Sequence, residues 1–134
     1  MGVTRVGVTG HRGLPPDTES RVETALRGLL SRVDNGLVGV TCLADGADQI
    51  FALLVVELGG ELEVIVPAAR YRDGLPAASH PTYDALLDAA SDVERLPYVE
   101  STSQSHMAAS ELMLGRVDRL VAVWDGRPAR GEGG

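Results

Sequence analysis

The sequence predicts an α/β fold, an open parallel five-stranded sheet with helices on both faces, and three observations carry that expectation. Short apolar, β-rich runs alternate with helical patterns along the whole chain, β-α five times over with the last helix missing. The first run (residues 3–13, VTRVGVTGHRG) passes without a break from a strand into a glycine turn. No internal repeat, low-complexity segment or linker interrupts the alternation, so 134 residues are read as one domain, 1–134, with one core.

In the first strand Val3, Val6 and Val8 suit a parallel strand buried on both faces. After Pro15 and Pro16, Asp17 is expected to cap a helix whose buried face is Val22, Ala25, Leu26, Leu29, Leu30 and Val33. That helix ends at Asn35-Gly36. Residues 37–43 form the second strand, and residues 44–48 (ADGAD) lead into an apolar helix over 49–58, stopped by Gly59-Gly60. This helix is apolar on nearly every side, which implies a covering element or a second subunit, and a homodimer is expected. A third strand follows at 61–67, then the longest loop, 68–81, and a short helix at 82–90 with Tyr83, Leu86 and Leu87 on one face. A weak fourth strand is expected at 93–98. Ser101-Thr102-Ser103-Gln104 fits a capping box opening a helix to Gly115 with Met107, Ala108, Leu112 and Met113 apolar. Residues 119–124 are the fifth strand, and a sheet ending there would leave apolar surface bare. The natural protein is therefore expected to continue past Gly134 or to be covered by another chain.

Composition narrows the function classes. No apolar stretch approaches bilayer length, no signal segment precedes the first strand, and the lone Cys42 cannot form an internal disulfide, so a cytoplasmic protein without membrane partners is expected. A formal charge of −7 argues against broad binding to nucleic acid but leaves a small phosphate ligand open.

In an open parallel sheet, ligands bind outside the carboxyl ends of the strands. Three glycine-bearing junctions follow strands here: Gly10-His11-Arg12-Gly13, Ala44 to Asp48 with Asp45, Gly46 and Ala47 as its candidate contacts, and Gly131-Glu132-Gly133-Gly134. Convergence on one rim would let their amide hydrogens hold a phosphate, although glycines after a first strand also serve simply to pack the next helix. The spacing G-x-x-G-x-x-G of Gly7, Gly10 and Gly13 matches neither the dinucleotide fingerprint nor the P-loop. His11 is a candidate phosphate donor or acid–base group, and Arg12 a candidate fork onto phosphate oxygens. For Asp45 and Asp48, helix capping is the leading reading, ahead of contact with a ribose hydroxyl or a metal. Trp124 suits core packing better than a base pocket, Cys42 reads as a small buried apolar residue, and for Arg70 and Tyr71 a plain loop role is favoured over closure on a ligand. The three histidines have no metal-ligand spacing and no catalytic residue is assigned.

These motifs carry a resemblance. The strand-turn at 6–12, the junction at 43–48 and the strand 118–126 followed by 131–134 resemble the SLOG superfamily, the Rossmann-like group that includes DprA/Smf and the "lonely guy" phosphoribohydrolases. The resemblance covers nearly the whole chain. It implies a Rossmann-like domain binding a nucleotide or nucleotide derivative, with phosphate near the first loop and the terminal glycines, no other cofactor, and often a dimer. The phosphoribohydrolase branch, which would cleave the N-glycosidic bond of a nucleoside 5′-monophosphate, is the alternative. Its P-G-G-x-G-T-x-x-E motif differs from Gly131-Glu132-Gly133-Gly134, so ligand binding by a sensor or binding domain is favoured over catalysis.

Overall fold

A computed structural model describes residues 2–10, 12–33 and 36–123. The elements run β1 (Val3–Gly10), α1 (Pro16–Leu30), β2 (Gly36–Thr41), α2 (Ala47–Glu57), β3 (Glu61–Ala68), α3 (His80–Ala89), β4 (Asp92–Tyr98), α4 (Ser103–Leu114) and β5 (Arg119–Val123). All strand pairs are parallel, in the order β4-β3-β2-β1-β5. The α/β fold expected from the alternation is therefore the fold observed.

The order explains the two covered faces. From β1 to β4 the chain steps outward through three crossovers of the same hand, which keeps α1, α2 and α3 on one face; α4 carries it back past β1 to β5 and lies on the other. Strand residues alternate accordingly. Val6, Val8, Leu62, Val64 and Val66 join Phe51, Ala52, Leu54 and Val55 in the larger core, while Val40 and Ile65 meet Ala109 and Met113 of α4. Burial on both sides is why these strands read as continuous apolar runs rather than alternating ones.

Several boundaries and faces differ from expectation. Helix α1 begins at Pro16, with Pro15 and not Asp17 in the cap position, because proline's fixed φ suits the first turn. Ala25 and Leu29 are exposed, and only Leu26 and Leu30 of that helix are fully buried. Helix α2 starts at Ala47, two residues early, and buries one side only, leaving Leu53 and Val56 at 52% and 42% exposure. Two short 3-10 turns, Arg72–Gly74 and Ala77–Ser79, occupy the long loop before α3. The capping box of α4 pairs Thr102 with Ser105, not Ser101 with Gln104: Ser105 N donates to Thr102 Oγ1 and Thr102 N to Ser105 Oγ. In α4 the buried positions are Ser105, Ala109 and Met113, whereas Met107 faces solvent. Cys42 lies just past the end of β2 and is half-buried. Trp124 is outside the described residues.

Candidate functional site

The connectivity fixes where a ligand would sit. Strands β2 and β5 leave opposite sides of β1, so the chain changes direction beside β1, and the crevice at the carboxyl ends there is open to a ligand. Three connections meet at that rim: the β1–α1 loop carrying Arg12 and Gly13, the β2–α2 loop from Cys42 to Gly46, and the segment after β3 that holds Tyr71. The first two turns of α4 close the crevice from the other face of the sheet with His106 and Ser110.

The β2–α2 loop is built by its own buried side chains. Leu43 is fully buried with φ 61°, a left-handed conformation uncommon for a leucine. Thr41 Oγ1 accepts from Leu43 N at 3.0 Å, and Gln49 Nε2 donates to Leu43 O at 3.2 Å, so both backbone groups of the strained residue are satisfied. Gly46 follows with φ 88° and ψ −130°, a conformation available to glycine, and redirects the chain into α2. The result places Asp45 and Asp48 on the rim with different environments.

Asp45 reaches across to the first loop. Arg12 Nε donates to Asp45 Oδ1 at 2.7 Å and Gly13 N donates to Oδ2 at 3.1 Å, while Arg12 Nη2 donates to Gly74 O at 3.3 Å. Asp45 thus does not cap α2, which has no side-chain cap; it bolts three connections together through Arg12. Asp48 faces inward, accepting from Ala44 N at 3.2 Å. Burial pushes its carboxyl up from 3.8 to about 7, partly offset by the hydrogen bonds from Ala44 and Thr41; the nearby Asp45 adds to the rise and Arg12 opposes it. Near neutral pH this side chain is divided between its acid and its carboxylate.

The other groups lining the crevice are held neutral. Burial, reinforced by Asp48, raises the thiol of Cys42 and the phenol of Tyr71, so neither ionises at physiological pH. Burial, assisted by the Arg12 charge, lowers the imidazole of His106. Its Nε2 lies 2.7 Å from Ser101 Oγ, and its ring meets Tyr71 edge-on at 5.6 Å. The crevice therefore has Arg12, paired with Asp45, at its mouth, a titrating floor at Asp48, and a neutral polar wall at Tyr71, His106 and Ser110. The described residues enclose about 80 Å³, room for a phosphate- or sugar-sized group.

Of the sequence-predicted positions, Gly10, Arg12, Gly13, Asp45 and Gly46 come together at this rim. Ala47 is fully buried, its methyl 2.9 Å from where a Cβ on Gly10 would stand, so both serve the close approach of α2 to β1. His11, Gly131, Glu132, Gly133 and Gly134 lie outside the described residues. Sequence reasoning missed His106, Ser110 and Cys42, and it ranked a plain loop role for Tyr71 above contact with a ligand. The capping box fixes His106 in the first turn of a helix that follows a strand, and that local signal places it at the strand-end rim. Tyr71 carried no such signal, because its burial comes from α3 and α4 packing around it.

Among the described residues no three His, Cys, Asp or Glu side chains cluster to hold a metal, and no helix is long and apolar enough to cross a membrane. No protein-family model and no curated protein matches the sequence. The fold is similar to the X-ray structure of DNA processing protein A (DprA) from Streptococcus pneumoniae, with a TM-score of 0.64 and 20% sequence identity over 90% of this chain and 41% of that one. This chain thus spans less than half the length of that protein. The likeness is one of architecture: a Rossmann-like α/β domain.

Proposed function

We propose that this chain is a SLOG-type domain that binds a nucleotide or nucleotide-derived phosphate at the rim formed by the β1–α1 and β2–α2 loops, as a binding or sensor domain. The observation carrying this reading is the pair of donors, Arg12 guanidinium and Gly13 amide, that already hold a carboxylate between them. A charged fork beside a backbone N–H is the donor set a phosphate uses. The neutral polar wall beyond it offers hydrogen-bonding groups to a sugar. Masses of basic surface are not on offer: Arg5, Arg12, Arg27, Arg70, Arg72 and Arg116 are each paired with a carboxylate. The structural neighbour is a DNA-processing protein, but a net charge of −7 with those arginines neutralised favours a small ligand over a polynucleotide. Glycosidic-bond cleavage draws no support from the described residues.

The same reading includes a cytoplasmic location and a homodimer, the homodimer supported by the exposed Leu53, Val56 and Leu58 of the α2 region and Leu29 of α1. The binding claim is tested by calorimetry of the full chain against nucleoside mono- and diphosphates and ADP-ribose. At least one should bind, and Arg12→Gln should weaken it by about tenfold or more, the scale of one lost charge-assisted hydrogen bond. Silence across that panel, or an Arg12→Gln protein that binds as well as the parent, defeats the proposal.

A further inference from the structure

The donors that recommend this rim for a phosphate are already occupied. Both oxygens of Asp45 are engaged, Oδ1 by Arg12 Nε and Oδ2 by Gly13 N, and the side chain is only 13% exposed. It is seated in the loop as a ligand carboxylate would be. We propose that Asp45 is a built-in anionic occupant of the β1–α1 loop, so that a phosphate enters by displacing it and every anion that binds there does so in competition with this carboxylate. This rests on the phosphate-binding reading above and adds the residue that sets its affinity threshold.

The argument is one of exchange. Two anions cannot share Arg12 Nε and Gly13 N, since each donor has one hydrogen and the charges would lie within a few ångströms of each other. Binding therefore replaces one carboxylate of charge −1 by the incoming group. The attraction that Asp45 gives up is the same whichever anion enters, so it lowers the affinity for singly and doubly charged groups by a common factor. Asp48, part-ionised in the floor, disfavours every anion and adds to the threshold. The local backbone permits the exchange. Asp45 is followed by Gly46, whose φ of 88° and ψ of −130° mark a glycine-dependent pivot, and Asp45 makes no cap to α2 that its departure would break. Arg12 keeps its bond to Gly74 O on the far side, so the guanidinium remains tethered when the carboxylate leaves.

The test compares the full chain with Asp45→Asn at pH 7.5, using adenosine 5′-monophosphate as the doubly charged probe and cyclic AMP as the singly charged one. Asp45→Asn should bind both more tightly, each by about tenfold, since the same carboxylate no longer competes. Binding by the parent together with equal or weaker binding by Asp45→Asn overturns this inference while leaving the phosphate site standing, since Asp45 would then be positioning Arg12 for the ligand. Absence of binding by either protein at millimolar nucleotide overturns the site and the inference together. Should Asp45→Asn fold poorly, the parent protein decides: the Asp45 carboxyl carbon resonance must move on adding adenosine monophosphate, and a resonance that stays fixed while the Gly13 amide reports saturation refutes displacement.

Discussion

At the scale of the residue, Asp48 is held in a position that water would contest. Its folded carboxyl titrates at about 7 because burial penalises the charge more than Ala44 and Thr41 stabilise it, against an ordinary value of 3.8. Between those values the folded protein keeps a proton that the unfolded chain has released, so stability falls as pH rises through that window. Below it both states are protonated, and above it the full penalty applies. Asp48→Asn, which retains an oxygen to accept from Ala44 N, should therefore gain stability over the parent as pH rises from about 4 to about 7 and hold that margin at pH 8. Thermal melts across this range check it; a margin that is flat or shrinks with pH contradicts the raised carboxyl. How Asp48 differs from Asp45 was not legible in the sequence. Two aspartates flanking a glycine before a helix look alike, and the distinction between a loop anchor and a titrating floor arises from Arg12, which is 33 positions away from Asp45 in the chain.

At the scale of the element, close approach governs α2. A Cβ on Gly39 would lie 2.6 Å from Val55 Cγ2 and 3.0 Å from Phe51 Cε2, so β2 is pressed against the buried face of the helix at a strand position without a side chain. In an ordinary strand, replacing glycine by valine gains up to about 1 kcal/mol from propensity. Here the overlap falls on two fully buried residues, and forcing them aside costs about 1–3 kcal/mol, so Gly39→Val should be net destabilising in urea unfolding. A variant as stable as the parent would mean that α2 can lift from the sheet without cost. The apolar character of α2 was plain from its sequence, yet composition could not tell that Phe51, Ala52, Leu54 and Val55 face inward while Leu53 and Val56 face out. A pattern apolar on all sides has no periodicity from which to choose a face.

At the scale of the whole molecule, the outward face of α2 remains to be matched. Leu29, Leu53, Val56 and Leu58 are each more than a third exposed, on the helical layer that covers the larger core. If that face joins two copies, Leu53→Asp should shift a dimer to monomer in sedimentation at micromolar concentration with little change in the unfolding of the isolated domain, because Leu53 makes no part of the core. A parent protein that sediments as a monomer at high concentration removes the homodimer. The alternation of strand and helix, the parallel sheet and the glycine turn after β1 were determined by the sequence alone, because each is set by local periodicity and the conformational freedom of glycine. The order β4-β3-β2-β1-β5, the ion pair that carries Arg12 to Asp45, the inward turn of Asp48 and the arrival of Tyr71 and His106 at the same rim were decided only by the tertiary structure. Those features depend on residues far apart in the chain, and only the packing of helices against a closed-ranked sheet brings them within reach of one another.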